Sequence, residues 1–248
     1  QPGCEIFSES PTPVAGTQRR VGVSVLQTLE SPAELLRPTM RGWLHAGAAL
    51  FSVAAGVALV AVAPAGRTRA GVSIFAVALA LTFATSALYH RVRWSPSACR
   101  RMARLDHSMI FLLIAATYTP FAVLAMSPPV ARAVLAGVWG GALVGVAARN
   151  LWRQPPPVVM VALYLALGWV AAFVFPDILH RAGAGPLSML IVGGGLYTVG
   201  AFVYALRRPS PLPGVFGYHE VFHLCTVLAA ACHYVALFSM LDGAVVPA

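Results

Sequence analysis

Seven apolar stretches, each long enough to cross a bilayer, follow one another along this sequence: about 43–63, 71–90, 105–126, 130–148, 157–176, 186–206 and 217–240. About 20 apolar residues span the roughly 30 Å hydrocarbon core as a helix. Only helices and closed barrels satisfy their backbone hydrogen bonds in lipid, and stretches of this length read as helices. The chain carries 10% charged residues, against about 25% in ordinary soluble domains. Soluble-enzyme and DNA-binding classes are thereby excluded. The predicted fold is all-α: a multi-pass cell-membrane protein with seven transmembrane helices.

Chemistry marks the breaks between spans. They are Pro64 with Arg67 and Arg69, the stretch from Arg91 to Arg104, Pro128-Pro129, Gln154 to Pro157, Pro176-Asp177 and Arg207-Arg208-Pro209. Residues 41–248 form the seven-helix domain, and residues 1–40 read as a cytoplasmic tail. Within that tail Ser31-Pro32-Ala33-Glu34 is a capping box and predicts a short helix over 32–37. Gly137, Gly141 and Gly145 leave one face of the fourth helix as bare backbone, suited to close helix packing. Pro120 is expected to kink the third helix.

The net charge of +9 comes from 17 basic residues, all arginine. Thirteen arginines fall on the side of the N-terminus and four on the other side. The positive-inside rule then predicts a cytoplasmic N-terminus and a C-terminus outside. The arginines lie in loops between apolar spans, so the expected partners are membrane lipids and no nucleic-acid partner is expected.

Ionisable groups within membrane spans need a reason. Here His45 opens the first span and His90 closes the second. Asp106 and His107 open the third, while His219, Glu220 and His223 open the seventh. With alternating topology all of them fall in one slab near the inner leaflet. His219 and His223, four residues apart, leave the same helix face, as do Ser86 and His90. If those faces meet, three imidazoles converge with Ser86 and Asp106 beside them. Three neutral imidazoles and an open fourth position describe a catalytic zinc site. Such a metal lowers the pKa of its bound water to about 7, and Asp106 could orient that water or shuttle its proton.

Plainer roles compete. His90 at a helix C-terminus and Asp106 near an N-terminus each suit the helix dipole, and Ser86 could bond back to its own helix. His107, about 100° round the helix from Asp106, reads as a packing or capping group. His233 lies ten residues beyond His223, roughly 15 Å along a helix, and reads as a satisfied buried histidine. His219 to His223 also fits H-E-x-x-H, the zincin signature, and Leu241-Asp242-Gly243 matches the L-D-G element of intramembrane proteases. Asp242 follows His223 by 19 residues, about 28 Å on one helix, which argues against a shared metal.

The segments Ser86 to His90, Leu105 to Phe121, Gly195 to Ala201, Gly214 to His223 and Cys232 to Tyr234 resemble the hemolysin III branch of the progestin and adipoQ receptor (PAQR) family over about residues 41–240. The resemblance implies one zinc ion on His90, His219 and His223. It further implies contact of Ser86 and Asp106 with the metal-bound water, and seven helices with a cytoplasmic N-terminus. Glu220 and His45 are candidates for supporting the ligands. Relatives stand with alkaline ceramidases in a wider group of membrane hydrolases, and bacterial members carry a hemolysin label. The departure is at helix 1, where Arg41 stands in place of the family's asparagine and no acid occupies the glutamate position.

The function this suggests is zinc-dependent hydrolysis of lipid amide or ester bonds near the cytoplasmic face. The alternative is a non-enzymatic sensor, homeostasis factor or cytolytic protein with structural zinc. An intramembrane metalloprotease or a transporter comes third. A pore should show a polar stripe on several helices, yet the fourth and fifth are almost wholly apolar. The sequence selects neither a substrate nor an oligomeric state.

Overall fold

The computed structural model describes residues 38–152 and 154–245. The capping box at Ser31 to Glu34 and nearly all of the tail lie outside the described residues. Eight α-helices follow in order: α1 (Trp43–Val62), α2 (Arg67–Arg91), α3 (Pro96–Ala125), α4 (Pro128–Leu151), α5 (Pro157–Gly168), α6 (Phe175–Ala182), α7 (Ala184–Leu206) and α8 (Tyr218–Val245). A 3-10 segment, Trp169–Val174, joins α5 to α6, and the three pieces form one span. The described residues thus contain seven helices long and apolar enough to cross a membrane, and the chain is a multi-pass membrane protein.

Two elements differ from the sequence expectation. α3 begins at Pro96, so the arginine-rich stretch before residue 105 is helix rather than loop. Ser95 is its N-cap, accepting from the Ala98 amide at 3.4 Å, and Pro96 takes the first helical position, where its missing N–H costs nothing. Asp106 therefore sits nearly three turns inside α3 and not at its start. The helix dipole, which acts over the first turn, does not account for it. The fifth span is the other difference, because its α-helix ends at Gly168. Tyr118 of α3 donates to the Gly168 and Leu167 carbonyls at 2.6 and 3.2 Å, satisfying acceptors that the break exposes within the membrane.

Each of the first four helices packs against the next, α7 pairs with α8, and α1 returns against α8. α3 is central: 67% of its spanning window is buried, against 11% for the fifth span. Outward side chains such as Phe51 and Phe173 are apolar and exposed, as a lipid-facing surface requires. Small residues set the closest approaches. A Cβ on Gly71 would lie 3.3 Å from the Pro120 Cα. Gly145 receives the Phe111 ring and Gly141 meets Leu167, whereas Gly137 faces open space, so the glycine face of α4 packs at two of its three positions. On α7, Gly193 lies against His233 and the Ala229 carbonyl, and Gly200 against Cys225 and Phe222.

Candidate metal centre

The ends of α2 and α7 and the starts of α1, α3 and α8 share one end of the bundle, and the histidines meet there. The last turn of α2 carries His90, and the first turns of α8 carry His219 and His223. Their candidate ligand nitrogens all lie within 4.8 Å of one another. His219 Nε2 is 3.2 Å from His90 Nε2. His90 and His223 are buried and His219 is half-buried. The i, i+4 spacing on α8 does this locally, since both rings leave one face toward α2.

Asp106 arrives from α3, with Oδ2 4.0 Å from His90 Nε2. Ser86, one turn before His90 on α2, brings its hydroxyl beside the Asp106 carboxylate. The structure thus brings together Ser86, His90, Asp106, His219 and His223 from three helices. His45 joins from α1 by stacking and not by hydrogen bonding: its ring lies 3.7 Å from that of His223, at 12°. Neither nitrogen of buried His45 has a hydrogen-bond partner. Phe83 closes another side of that ring at 5.0 Å.

Glu220 points away from the imidazoles. Buried at 1% exposure, it accepts from Arg41 Nε, and its second oxygen accepts from the Gly217 amide at 2.9 Å. The second contact is half of a capping box that starts α8. Arg41 is held over it because the segment before α1 runs beside the α7–α8 loop, with Thr39 N donating to Gly214 O at 3.1 Å and Met40 N to Val215 O at 3.2 Å. Gly42 completes the approach. It has φ +80°, and a Cβ there would lie 2.8 Å from the His90 Cβ. Arg41 therefore finds its acid on α8.

The remaining histidines stand apart. His107 Nδ1 donates to the Ala103 carbonyl of its own helix at 2.6 Å. His233 packs on Gly193 and Tyr197, farther along α8. α8 is continuous from Tyr218 to Val245, so Asp242 stands at the opposite end of the helix from His223 and cannot share a metal with it.

Residues that the sequence reading did not single out also lie around the site. Tyr204 of α7 meets His219 edge-on at 5.5 Å. Tyr89 lies against His90 at 4.5 Å. Tyr164 of α5 donates to the His107 carbonyl at 3.1 Å. Arg149, in the last turn of α4, is buried. Its signal lay in spacing, because Arg149 continues the stripe Val138, Ala142, Gly145 that α4 turns inward.

Three converging imidazole nitrogens, with a carboxylate beyond bonding distance of them, suit a divalent metal that keeps an open position. A cleft of about 280 Å³, lined by Arg41, Trp43, Arg91 and His90 among others, reaches this group from the end of the bundle.

Comparison with known proteins agrees with this architecture. The chain is 28% identical over 204 residues to Hemolysin-3 of Bacillus cereus, covering 81% of this chain and 90% of that protein. It is 31% identical over 137 residues to the Hemolysin-3 homolog of Bacillus subtilis (strain 168), covering 55% and 63%. It is 28% identical over 172 residues to the monocyte to macrophage differentiation factor of Homo sapiens, covering 68% and 69%. Residues 33–234 match the family described as Haemolysin-III related, a stretch that includes every candidate ligand, and the chain belongs to that family.

Proposed function

We propose that this protein is a zinc-dependent hydrolase of lipid amide or ester bonds. In this reading its site faces the cytoplasm, with the N-terminus inside and the C-terminus outside. The observation that carries the proposal is the convergence of His90, His219 and His223 with a carboxylate at 4.0 Å that belongs to no ion pair with an arginine. A metal that merely braced two helices would have no use for that carboxylate.

His90, His219 and His223 would hold the metal, and zinc suits three imidazoles. When bound, zinc supplies Lewis acidity and activates water near neutral pH. Asp106 takes up the proton released as the nucleophile forms and returns it to the departing amine or alcohol. Ser86, donating to Asp106, fixes the carboxylate's orientation, so that one oxygen stays turned toward the imidazoles. His45 stacks on His223 and keeps that ring from rotating out of the cluster. The spanning helices keep bulk water out of the site on the lipid side.

A second reading is a non-enzymatic membrane protein, cytolytic or homeostatic, in which metal ties α2 to α8. It is favoured by one fact: these two helices supply all three imidazoles. Turnover separates the two. Zinc-loaded protein in liposomes containing ceramide or phospholipid should release fatty acid. Asp106→Asn should keep its zinc and lose about 10²–10⁴-fold in rate, and Ser86→Ala should lose about tenfold. Turnover undiminished in Asp106→Asn would sink the catalytic assignment. Zinc-loaded wild type that turns over neither lipid would favour the second reading.

A further inference from the structure

Arg149 is the one arginine besides Arg41 that the described fold buries, at 6% exposure. Arg41 has Glu220, but Arg149 makes no hydrogen bond or ion pair with any described residue. Its place is fixed by α4's inward stripe. Gly145, one turn earlier, lies against Phe111 of α3, and Asn150 beside it donates to Ser108 of α3 at 3.1 Å. The guanidinium therefore points into the end of the bundle that holds the histidines. Its charge acts on Asp106 and His107 of α3 and on Tyr164 of α5, and its other electrostatic neighbours are Arg104, Tyr89 and Tyr204. Tyr89 and Tyr204 are the rings that pack on His90 and His219, so Arg149 looks across them toward the metal centre.

Charge in this space does not balance. Glu220 is taken by Arg41, which leaves Asp106 as the one described carboxylate that the charge of Arg149 acts on, while Arg104 adds a second positive charge beside Arg149. A dication on the histidines adds to the surplus. A favourable helix dipole at the end of α4 would serve an exposed arginine equally well and does not explain its burial. The Arg149 nitrogens have no partner among the described residues and are not sealed from solvent, so their donors stay open to an oxyanion with several acceptor oxygens.

We propose that Arg149 is an anion-binding residue of this site and receives a phosphate group carried by a membrane lipid. Two guanidiniums match the charge of a phosphate monoester better than that of a single carboxylate, and the planar fork of arginine fits its oxygens. A phosphate seated there would hold the remainder of an amphiphile beside the histidines. The inference deepens the hydrolase reading by naming its substrate class, although its test needs no turnover.

The test uses the purified, metal-assayed full chain and measures binding through the shift in unfolding temperature. The probes are dioctanoyl phosphatidic acid, dioctanoylglycerol and inorganic phosphate. Wild type should be stabilised by phosphatidic acid, with Arg149→Gln binding it about 10- to 100-fold more weakly. Arg149→Lys should fall between them, and dioctanoylglycerol should act equally on all three. If Arg149→Gln does not fold, the comparison of Arg149→Lys and Arg104→Gln with wild type carries the test.

Inorganic phosphate that binds as tightly as the lipid would overturn the lipid part of the proposal. Phosphatidic acid that stabilises wild type and Arg149→Gln alike, or stabilises neither, would overturn the whole. Binding without hydrolysis of any lipid would instead count against the hydrolase reading and leave this site intact. Hydrolysis of neutral lipids with no phosphate binding would do the reverse.

Discussion

Arg41 and Glu220 pair the segment before α1 with the start of α8. Both are buried, at 8% and 1% exposure, and Glu220 also caps α8 through the Gly217 amide. Removing one partner of a buried pair leaves the other charge uncompensated, at a cost of about 3–5 kcal/mol. Arg41→Met should therefore destabilise strongly. Glu220→Gln keeps an acceptor for the cap and should cost less. In unfolding measured in detergent, the double variant should be less destabilised than the sum of the singles, with a coupling of about 1–3 kcal/mol. Strict additivity would mean that the pair does not hold α1 to α8. The sequence could show that an arginine precedes the first span, but not that its partner lay 179 residues away, because that pairing is set by tertiary folding. His90, His219, His223, Ser86 and Asp106 were legible because i, i+4 spacing and alternating topology fix both the face and the level of each. Arg149 was not, because an arginine near a span end looks like any other topology signal until the inward stripe of its helix is known.

Glycine decides the packing of whole elements. α7 comes against α8 through Gly193 and Gly200, and a Cβ at Gly193 would lie 2.6 Å from the His233 Nε2. Gly193→Leu should push the two helices apart, with a cost of about 1–3 kcal/mol and a lower unfolding temperature. Gly194→Leu, at a position with nothing within 4 Å, should leave it nearly unchanged. Equal effects from the two would contradict this packing. Seven spans were legible from hydropathy because lipid demands long apolar helices. The start of α3 was not, since Arg100, Arg101 and Arg104 belong to a helix that extends beyond the apolar stretch. Its cap, Ser95-Pro96, was the available signal. The break after Gly168 has no apolar-to-polar change to announce it, and depends on Tyr118 from another helix.

At the scale of the whole molecule, the described ionisable groups with a proposed role gather at one end of a bundle whose lipid-facing sides are apolar. Orientation then decides which leaflet the site serves. The proposed orientation predicts that a periplasmic-only reporter fused after residue 245 is active, while the same reporter in the α2–α3 connection is inactive. The opposite pattern would move the site to the outer leaflet and exclude cytoplasmic-leaflet lipids as its ligands. The most direct test of the account is the metal content of detergent-purified protein, wild type beside His90→Ala, His219→Ala and His223→Ala, with His233→Ala as control. The account predicts about one zinc per chain in wild type and in His233→Ala, lost in each of the other three. Well-folded wild type without zinc, or zinc that survives in all three variants, would contradict it.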